Sequence, residues 1–123
     1  MQLFVLGDGD RVQSMIDNAL LGGDLGRVQT LSANLTSAMK DLAAIVQTTN
    51  GWHLVFSGGD DICITVESSA YREEFIRELM RLFNNQTGGS MSFGVGESIE
   101  SAYINLRRAK ARGAGVLVVT GLL

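Results

Sequence analysis

The sequence predicts an α+β domain of ferredoxin-like type, an antiparallel sheet with helices on one face, and three observations lead there. Short apolar runs and segments of helical periodicity follow one another as strand, helix, helix, strand, strand, helix, strand, helix, strand. Two of the strand-like runs are separated only by Ser57-Gly58-Gly59-Asp60-Asp61, a polar, glycine-bearing spacer that marks a hairpin. Setting aside the extra second helix and the final helix–strand pair leaves βαββαβ, the ferredoxin-like order, so the whole reads as a βααββαβ core plus αβ. Residues 1–123 are expected to form a single domain, since the chain is long enough for one hydrophobic core but not for two.

Each element has a local reason. Leu3-Phe4-Val5-Leu6 is an apolar run read as a buried strand, stopped by the polar turn Gly7-Asp8-Gly9-Asp10. From Arg11 to about Leu21, Val12, Met15, Ile16, Ala19 and Leu20 recur at helical spacing until Gly22-Gly23 breaks the pattern. Asp24 then offers an N-cap for a long amphipathic helix with Leu25, Val28, Leu31, Leu35, Met39, Leu42 and Val46 on one stripe, ended by Asn50-Gly51. Trp52 to Phe56 and Ile62 to Val66 are the hairpin strands. Ser68 or Ser69 is the expected cap of a third helix reaching about Asn84, with Tyr71, Phe75, Leu79 and Leu82 on its stripe. Ser90 to Gly96 alternates as a strand, Ser98 caps a fourth helix ending near Gly113, and Val116 to Val119 is a last strand.

Composition narrows the function. Hydrophobic residues make up 46% and charged ones 19%, which describes a compact globular chain and not a disordered one. No apolar run approaches the ~20 residues of a membrane span, and the N-terminal residues lack the basic region and cleavage site of a signal peptide. One cysteine, Cys63, excludes a disulfide within the chain, and a cytoplasmic location is expected. The net charge of −3 argues against stable nucleic-acid binding through phosphate neutralisation. One histidine and one cysteine leave almost nothing for a zinc site, so any metal must be held by carboxylates, which favours Mg2+ or Mn2+.

The acidic residues are grouped to do this. In the ferredoxin-like order the first strand lies beside the central hairpin, so Asp8 and Asp10 approach Asp60 and Asp61. Carboxylates on adjacent strands can clamp a divalent ion and leave positions open for substrate phosphates. Gly58 and Gly59 would let the hairpin backbone approach a triphosphate or adopt positive φ. A polar hairpin turn without chemistry accounts for Gly58 to Asp61 equally well, because the same residues are common in turns. At the other end of the chain, Arg107, Arg108, Lys110 and Arg112 crowd the last turns of a helix, where its dipole favours cations without any ligand.

Further residues favour the chemical reading. Ser57-Gly58-Gly59-Asp60-Asp61 between apolar strands resembles the signature hairpin of the GGDEF and palm-domain cyclases. Ser92-Phe93-Gly94-Val95-Gly96 resembles their later strand, and the helix ending Arg108-Ala109-Lys110-Ala111-Arg112-Gly113 their Ala-Lys-x-x-Gly helix. With Gly7-Asp8-Gly9-Asp10 at the end of the first strand, three motifs stand in the family order across essentially the whole chain. This compact form is similar to the minimal CRISPR polymerase family, a stand-alone relative of the palm in type III CRISPR effectors, and the chain is expected to end where the palm ends.

That resemblance implies a palm fold and a metal-dependent nucleotidyltransferase. It would convert ATP into a cyclic adenine dinucleotide or oligonucleotide second messenger, with release of pyrophosphate, in bacterial anti-phage defence. By the same resemblance Asp8, the Gly9 carbonyl, Asp60 and Asp61 are the metal ligands, with Asp8, Asp60 and Asp61 catalytic. Gly58, Gly59, Lys110 and Asp10 are placed on the substrate side, Lys110 as the triphosphate-holding lysine. The chain departs from diguanylate cyclases in having Ala114 after the helix glycine and no inhibitory Arg-x-x-Asp upstream of the hairpin. It also has no clear counterpart of their guanine-reading asparagine and aspartate, which turns the expectation toward adenine. A homodimer is expected, because ring closure needs two nucleotides aligned and one small palm presents one triphosphate site. The product would act on a separate effector protein. The alternatives are a non-catalytic nucleotide-binding regulatory module and a GTP-using diguanylate cyclase.

Overall fold

The structure, a computed structural model, describes residues 1–121. Its elements are β1 (Gln2–Asp10), α1 (Val12–Leu21), α2 (Leu25–Thr48), β2 (Trp52–Gly58), β3 (Asp61–Glu67), α3 (Glu73–Thr87), β4 (Ser90–Gly96), α4 (Ile99–Arg112) and β5 (Leu117–Val119). The strands form one sheet in the order β2-β3-β1-β4-β5, antiparallel except for the β4–β5 pair, which is parallel. The α+β fold with a mostly antiparallel sheet is thus the one that the pattern of elements predicts.

β1 is the middle strand, paired with β3 on one edge and β4 on the other. Its residues alternate across the sheet, and Leu3 and Val5 are fully buried on one face with Ile62, Ile64 and Val66 of β3 and Met91, Phe93 and Val95 of β4. That face is covered by α2 through Ala38, Met39, Leu42 and Val46, and by α3 through Phe75, Ile76, Leu79 and Phe83. Each such side chain withdrawn from water contributes ~1.5–3 kcal/mol. Trp52 closes one end of the core, its ring 4.5 Å from that of Phe75 and its indole N–H donating to the Ala70 carbonyl at 3.3 Å.

The helices of the ferredoxin-like core lie on one face, as expected, but α4 of the added pair does not join them. It packs on the opposite face of β4, and the reason is in the glycines. A Cβ on Gly94 would run into the backbone of α4 at Ala102 and Leu106, and one on Gly96 would meet Ser101 and Ala102. The Ser92 to Gly96 motif is therefore a smooth floor on which α4 rests at backbone distance. Asn105, buried in α4, donates through Nδ2 to the Val95 carbonyl at 2.7 Å and to Thr120 Oγ1 at 2.8 Å, fixing the helix to the sheet.

Local signals had mixed success. Asp24 caps α2, accepting from the Arg27 N–H at 3.0 Å. Ser98 caps α4 in a reciprocal box with Ser101. Neither Ser68 nor Ser69 caps α3: the helix begins at Glu73, after Arg72, and places Glu73 and Glu74 in its first turn, where carboxylates suit the dipole without a side-chain cap. The α2 stripe is buried only from Ala38 onward, with Leu25 left 68% exposed. Gly7-Asp8-Gly9-Asp10 is not a turn. β1 runs through Asp10 because β4 pairs with it as far as Ser90, and only at Arg11, with φ 57°, does the chain leave the sheet.

Candidate active site

The register of the sheet assembles the acidic residues. Asp8 on β1 lies directly opposite Asp61, the first residue of β3, and the two-residue turn Gly59-Asp60 sets Asp60 beside them. Gly59 takes φ 52°, a region open to glycine at little cost. The Gly9 N–H donates to the Asp60 carbonyl at 3.0 Å, tying the hairpin tip to β1. A Cβ on Gly9 would meet Val12 at 2.6 Å and Asp60 at 3.1 Å, so the missing side chain is what lets the hairpin close over β1. Around Gly58 and Gly59 there is open space.

Asp8, Asp60 and Asp61 each offer an oxygen, and these atoms lie within 4.8 Å of one another. Burial raises the pKa of all three above the usual carboxylate range. The facing Asp61 raises Asp8 further against the pull of Lys110, and the negative charge of Asp8 raises Asp60. Asp61 is raised first by desolvation and then by Asp60, while sharing a proton with the facing Asp8 would act the other way. Three anions crowded at this distance are what a divalent cation would relieve. The donor set is wholly oxygen, as Mg2+ and Mn2+ prefer.

Lys110 reaches the cluster from α4. Its ammonium lies 3.2 Å from Asp8 Oδ2, 2.7 Å from the Gly9 carbonyl and 3.2 Å from the Asp8 carbonyl. These oxygens already converge on a positive charge, an observation that fits Asp8 and the Gly9 carbonyl as cation ligands. Arg107, Arg108 and Arg112, its neighbours on the helix, are exposed. The cationic cluster legible in the sequence therefore separates into one residue in the site and three outside it.

With this arrangement in view, the comparisons with known proteins are decisive for kinship. The model of the minimal CRISPR polymerase domain matches residues 4–120. The chain belongs to that family. Among curated proteins there is no match. Among solved structures, the chain is similar to one in the Csm1-Csm4 cassette in complex with cA4, at 21% identity and a TM-score of 0.72 over 98% of this chain. It spans only 21% of the length of that matched chain. The diguanylate cyclase SiaD in complex with its activator SiaC from Pseudomonas aeruginosa matches at 13% identity and a TM-score of 0.61, over 97% of this chain and 50% of the other. The active GGEEF domain of a diguanylate cyclase from Vibrio cholerae matches at 13% identity and a TM-score of 0.55, over 96% and 81%. At these identities the neighbours establish the shared palm fold.

Within this member of the minimal CRISPR polymerases, Asp10 stands apart from the other acids. It is 6% exposed, and its carboxylate accepts from Ser90 Oγ at 2.7 Å, Ser92 Oγ at 2.9 and 3.0 Å and the Gly115 N–H at 2.7 Å, with Lys110 Nζ at 3.0 Å. Burial would raise its pKa, but the Gly115 N–H, Ser90, Lys110 and Ser92 together outweigh that and hold it below the usual range. The sequence places Ser90 and Ser92 on a strand but assigns no site role to them or to Gly115. The Ser-x-Ser spacing at the start of β4, opposite Asp10 and Asp8 in a strand pair, was the available signal. Cys63 is buried, and burial pushes its thiol up, in keeping with a packing role. His53 is exposed on β2.

Proposed function

We propose that this domain is a nucleotidyl cyclase that converts ATP into a cyclic adenine dinucleotide or oligonucleotide with release of pyrophosphate. The observation that carries the reading is the convergence of Asp8, Asp60 and Asp61 with the Lys110 ammonium against the same strand end, in a chain of the minimal CRISPR polymerase family. Asp8, Asp60, Asp61 and the Gly9 carbonyl would hold Mg2+ or Mn2+. When bound, the cation supplies Lewis acidity toward the α-phosphate and neutralises charge that develops on the leaving oxygens.

The chain's own residues do the rest. Lys110 sits where a compact positive charge can meet the β- and γ-phosphates, and Gly58 and Gly59 leave the hairpin backbone free to approach them. Asp61, the most exposed of the three acids, is placed to accept the proton of the attacking ribose hydroxyl. The new bond joins that oxygen to the α-phosphorus, the α–β anhydride bond breaks, and pyrophosphate departs with the electron pair. Positioning and charge stabilisation account for most of the acceleration in such transfers.

A groove of ≈ 780 Å³ opens beside Gly58 and Gly59 and runs along α2 past Ser32, Thr36, Lys40 and Gln47. It is large enough for a nucleoside, and none of its lining residues is a carboxylate. A carboxylate is the natural acceptor for the paired N–H donors of guanine, so the lining favours adenine. Ring closure requires two nucleotides aligned on each other, which two copies of the palm related by a two-fold axis would supply. No helix among the described residues is long and apolar enough to cross a membrane. In this reading a homodimer works in the bacterial cytoplasm as part of an anti-phage response, and its product diffuses to a separate effector protein.

The test is incubation with each nucleoside triphosphate and Mg2+ or Mn2+, followed by mass spectrometry. A cyclic adenine product and pyrophosphate from ATP alone are expected. Cyclic di-GMP as the main product from mixed triphosphates would overturn the base assignment. The absence of product from any triphosphate at high protein concentration would sink the enzymatic reading.

A further inference from the structure

We propose that Asp10 is a positioning residue for Lys110, a buried carboxylate that holds the ammonium beside the acid cluster without itself belonging to that cluster. The proposal rests on the cyclase reading for its consequence, but its structural premise stands on contacts alone. Asp8, Asp60 and Asp61 present oxygens to a common point; Asp10 is not among them. Both of its oxygens are already taken, by the hydroxyls of Ser90 and Ser92, by the Gly115 N–H and by Lys110. A carboxylate supplied with that many donors has little left for a metal.

Those donors come from three places. Ser90 and Ser92 lie on β4, Gly115 in the segment between α4 and β5, and Lys110 on α4, so Asp10 joins the end of β1 to β4, to α4 and to the segment that follows it. Ser92 extends the clasp, its Oγ accepting from the Val116 N–H at 3.1 Å.

The reason for a second acid at this place follows from the charge arithmetic. Lys110 is held by two carboxylates, Asp8 at 3.2 Å and Asp10 at 3.0 Å. Asp8 is shared, because its oxygens are also those offered to a cation. Once Asp8 is engaged by a divalent ion, its attraction for the ammonium is largely cancelled, and the ion itself repels Lys110. Asp10 is the counter-charge that remains. It is only 5% exposed at the side chain and little screened, so it keeps Lys110 at the site's edge when metal enters. The ammonium is then available to the triphosphate.

The experiment is a double-mutant cycle with Asp10→Asn and Lys110→Met, read in two ways. The first needs no nucleotide: urea unfolding of the four proteins. The double variant should lose much less than the sum of the single losses, and additive losses would show that the pair does not interact. The second reads metal and substrate. Asp10→Asn should bind Mn2+ without nucleotide within about threefold of the parent, while Asp60→Asn loses about tenfold or more. With ATP, Asp10→Asn should raise KM by about tenfold and lower kcat, and adding it to Lys110→Met should cost little more.

Loss of Mn2+ by Asp10→Asn to the same extent as by Asp60→Asn would make Asp10 a ligand and overturn the proposal. If Asp10→Asn does not fold, Ser92→Ala is the second variant: it removes two of the contacts to Asp10 and should give a smaller KM rise that likewise disappears in the Lys110→Met background. A parent that makes no product from any triphosphate would defeat the cyclase reading. In that event the unfolding cycle and the Mn2+ titration still decide the role of Asp10.

Discussion

Asp61→Asn should stabilise the metal-free protein at neutral pH, and the gain should vanish in acid. Asp61, Asp8 and Asp60 bring oxygens within 4.8 Å of one another. Two unit charges at that separation repel by about 0.9 kcal/mol in the dielectric of water and by about 3.5 kcal/mol at an effective dielectric constant of 20. Asp61 is exposed, so the lower figure applies. It faces two carboxylates, and Lys110 returns part of the cost, leaving a net gain of about 1 kcal/mol, or about 4 °C in Tm for a domain of this size. The sign follows from the raised pKa of Asp61, caused first by the partial desolvation of this exposed side chain beside β1 and then by Asp60. A carboxyl with a raised folded value binds its proton more tightly when folded. Below the unfolded value both states are protonated and nothing is lost; as pH rises through the folded value, the folded state loses that advantage. The assay is thermal unfolding in chelator across this pH range, repeated with saturating Mg2+. The ion should reverse the order of the two proteins, because the parent gains more from binding it. If Asp61→Asn is less stable than the parent in chelator at neutral pH, or its advantage persists unchanged in acid, the three carboxylates are not in charge conflict and the cation-site reasoning fails.

Other outcomes follow from the same geometry. Gly94→Ala should cost about 3 kcal/mol or more by urea unfolding, because the new methyl meets helix backbone and not a movable side chain; it should also impair turnover by lifting α4 and Lys110 from the site. Lys110→Ala should raise the KM for triphosphate and lower kcat, whereas Arg112→Ala, whose side chain is exposed, should change stability by ~0.3–1 kcal/mol and kinetics little; equal kinetic losses would misplace the phosphate side. Specific activity should fall on dilution if two copies cooperate in ring closure, and light scattering in nucleotide should show a dimer. Activity strictly proportional to protein concentration with a monomer would refute that.

How much was legible in the sequence depended on whether the signal was local. The strand runs, the Asp24 and Ser98 caps and the hairpin at Gly59 rest on nearest-neighbour chemistry, and they stand in the structure. The meeting of Asp8 with Asp61 was legible through topology, since the ferredoxin-like order fixes which strands are adjacent. What failed was context. Gly7-Asp8-Gly9-Asp10 has the composition of a turn, yet pairing on both edges of β1 keeps it extended through Asp10. The side of the sheet taken by α4 is decided by Gly94 and Gly96, whose missing side chains mark a surface for close approach without saying which element approaches.

The two first-strand acids show the limit most clearly. In the structure Asp8 and Asp10 lie two residues apart on the same face of β1, and only the family resemblance sets them apart in the sequence, Asp8 as a metal ligand and Asp10 on the substrate side. Two residues of register separate their fates. Asp8 stands between Asp61 on β3 and Ser92 on β4, so it has an anion on one side. Asp10 lies beyond the last residue that β3 contributes, and its strand partner is Ser90 on β4. Burial and then the facing Asp61 raise the pKa of Asp8, whereas the Gly115 N–H, Ser90, Lys110 and Ser92 outweigh burial and lower that of Asp10. Lys110, coming from the far end of the chain, bridges both. A cation so placed would balance the crowded acids before metal arrives and stay close once metal has replaced it. The reach of β3, whose first residue is Asp61, is therefore what divides this pair into one acid facing the carboxylate cluster and one facing the scaffold.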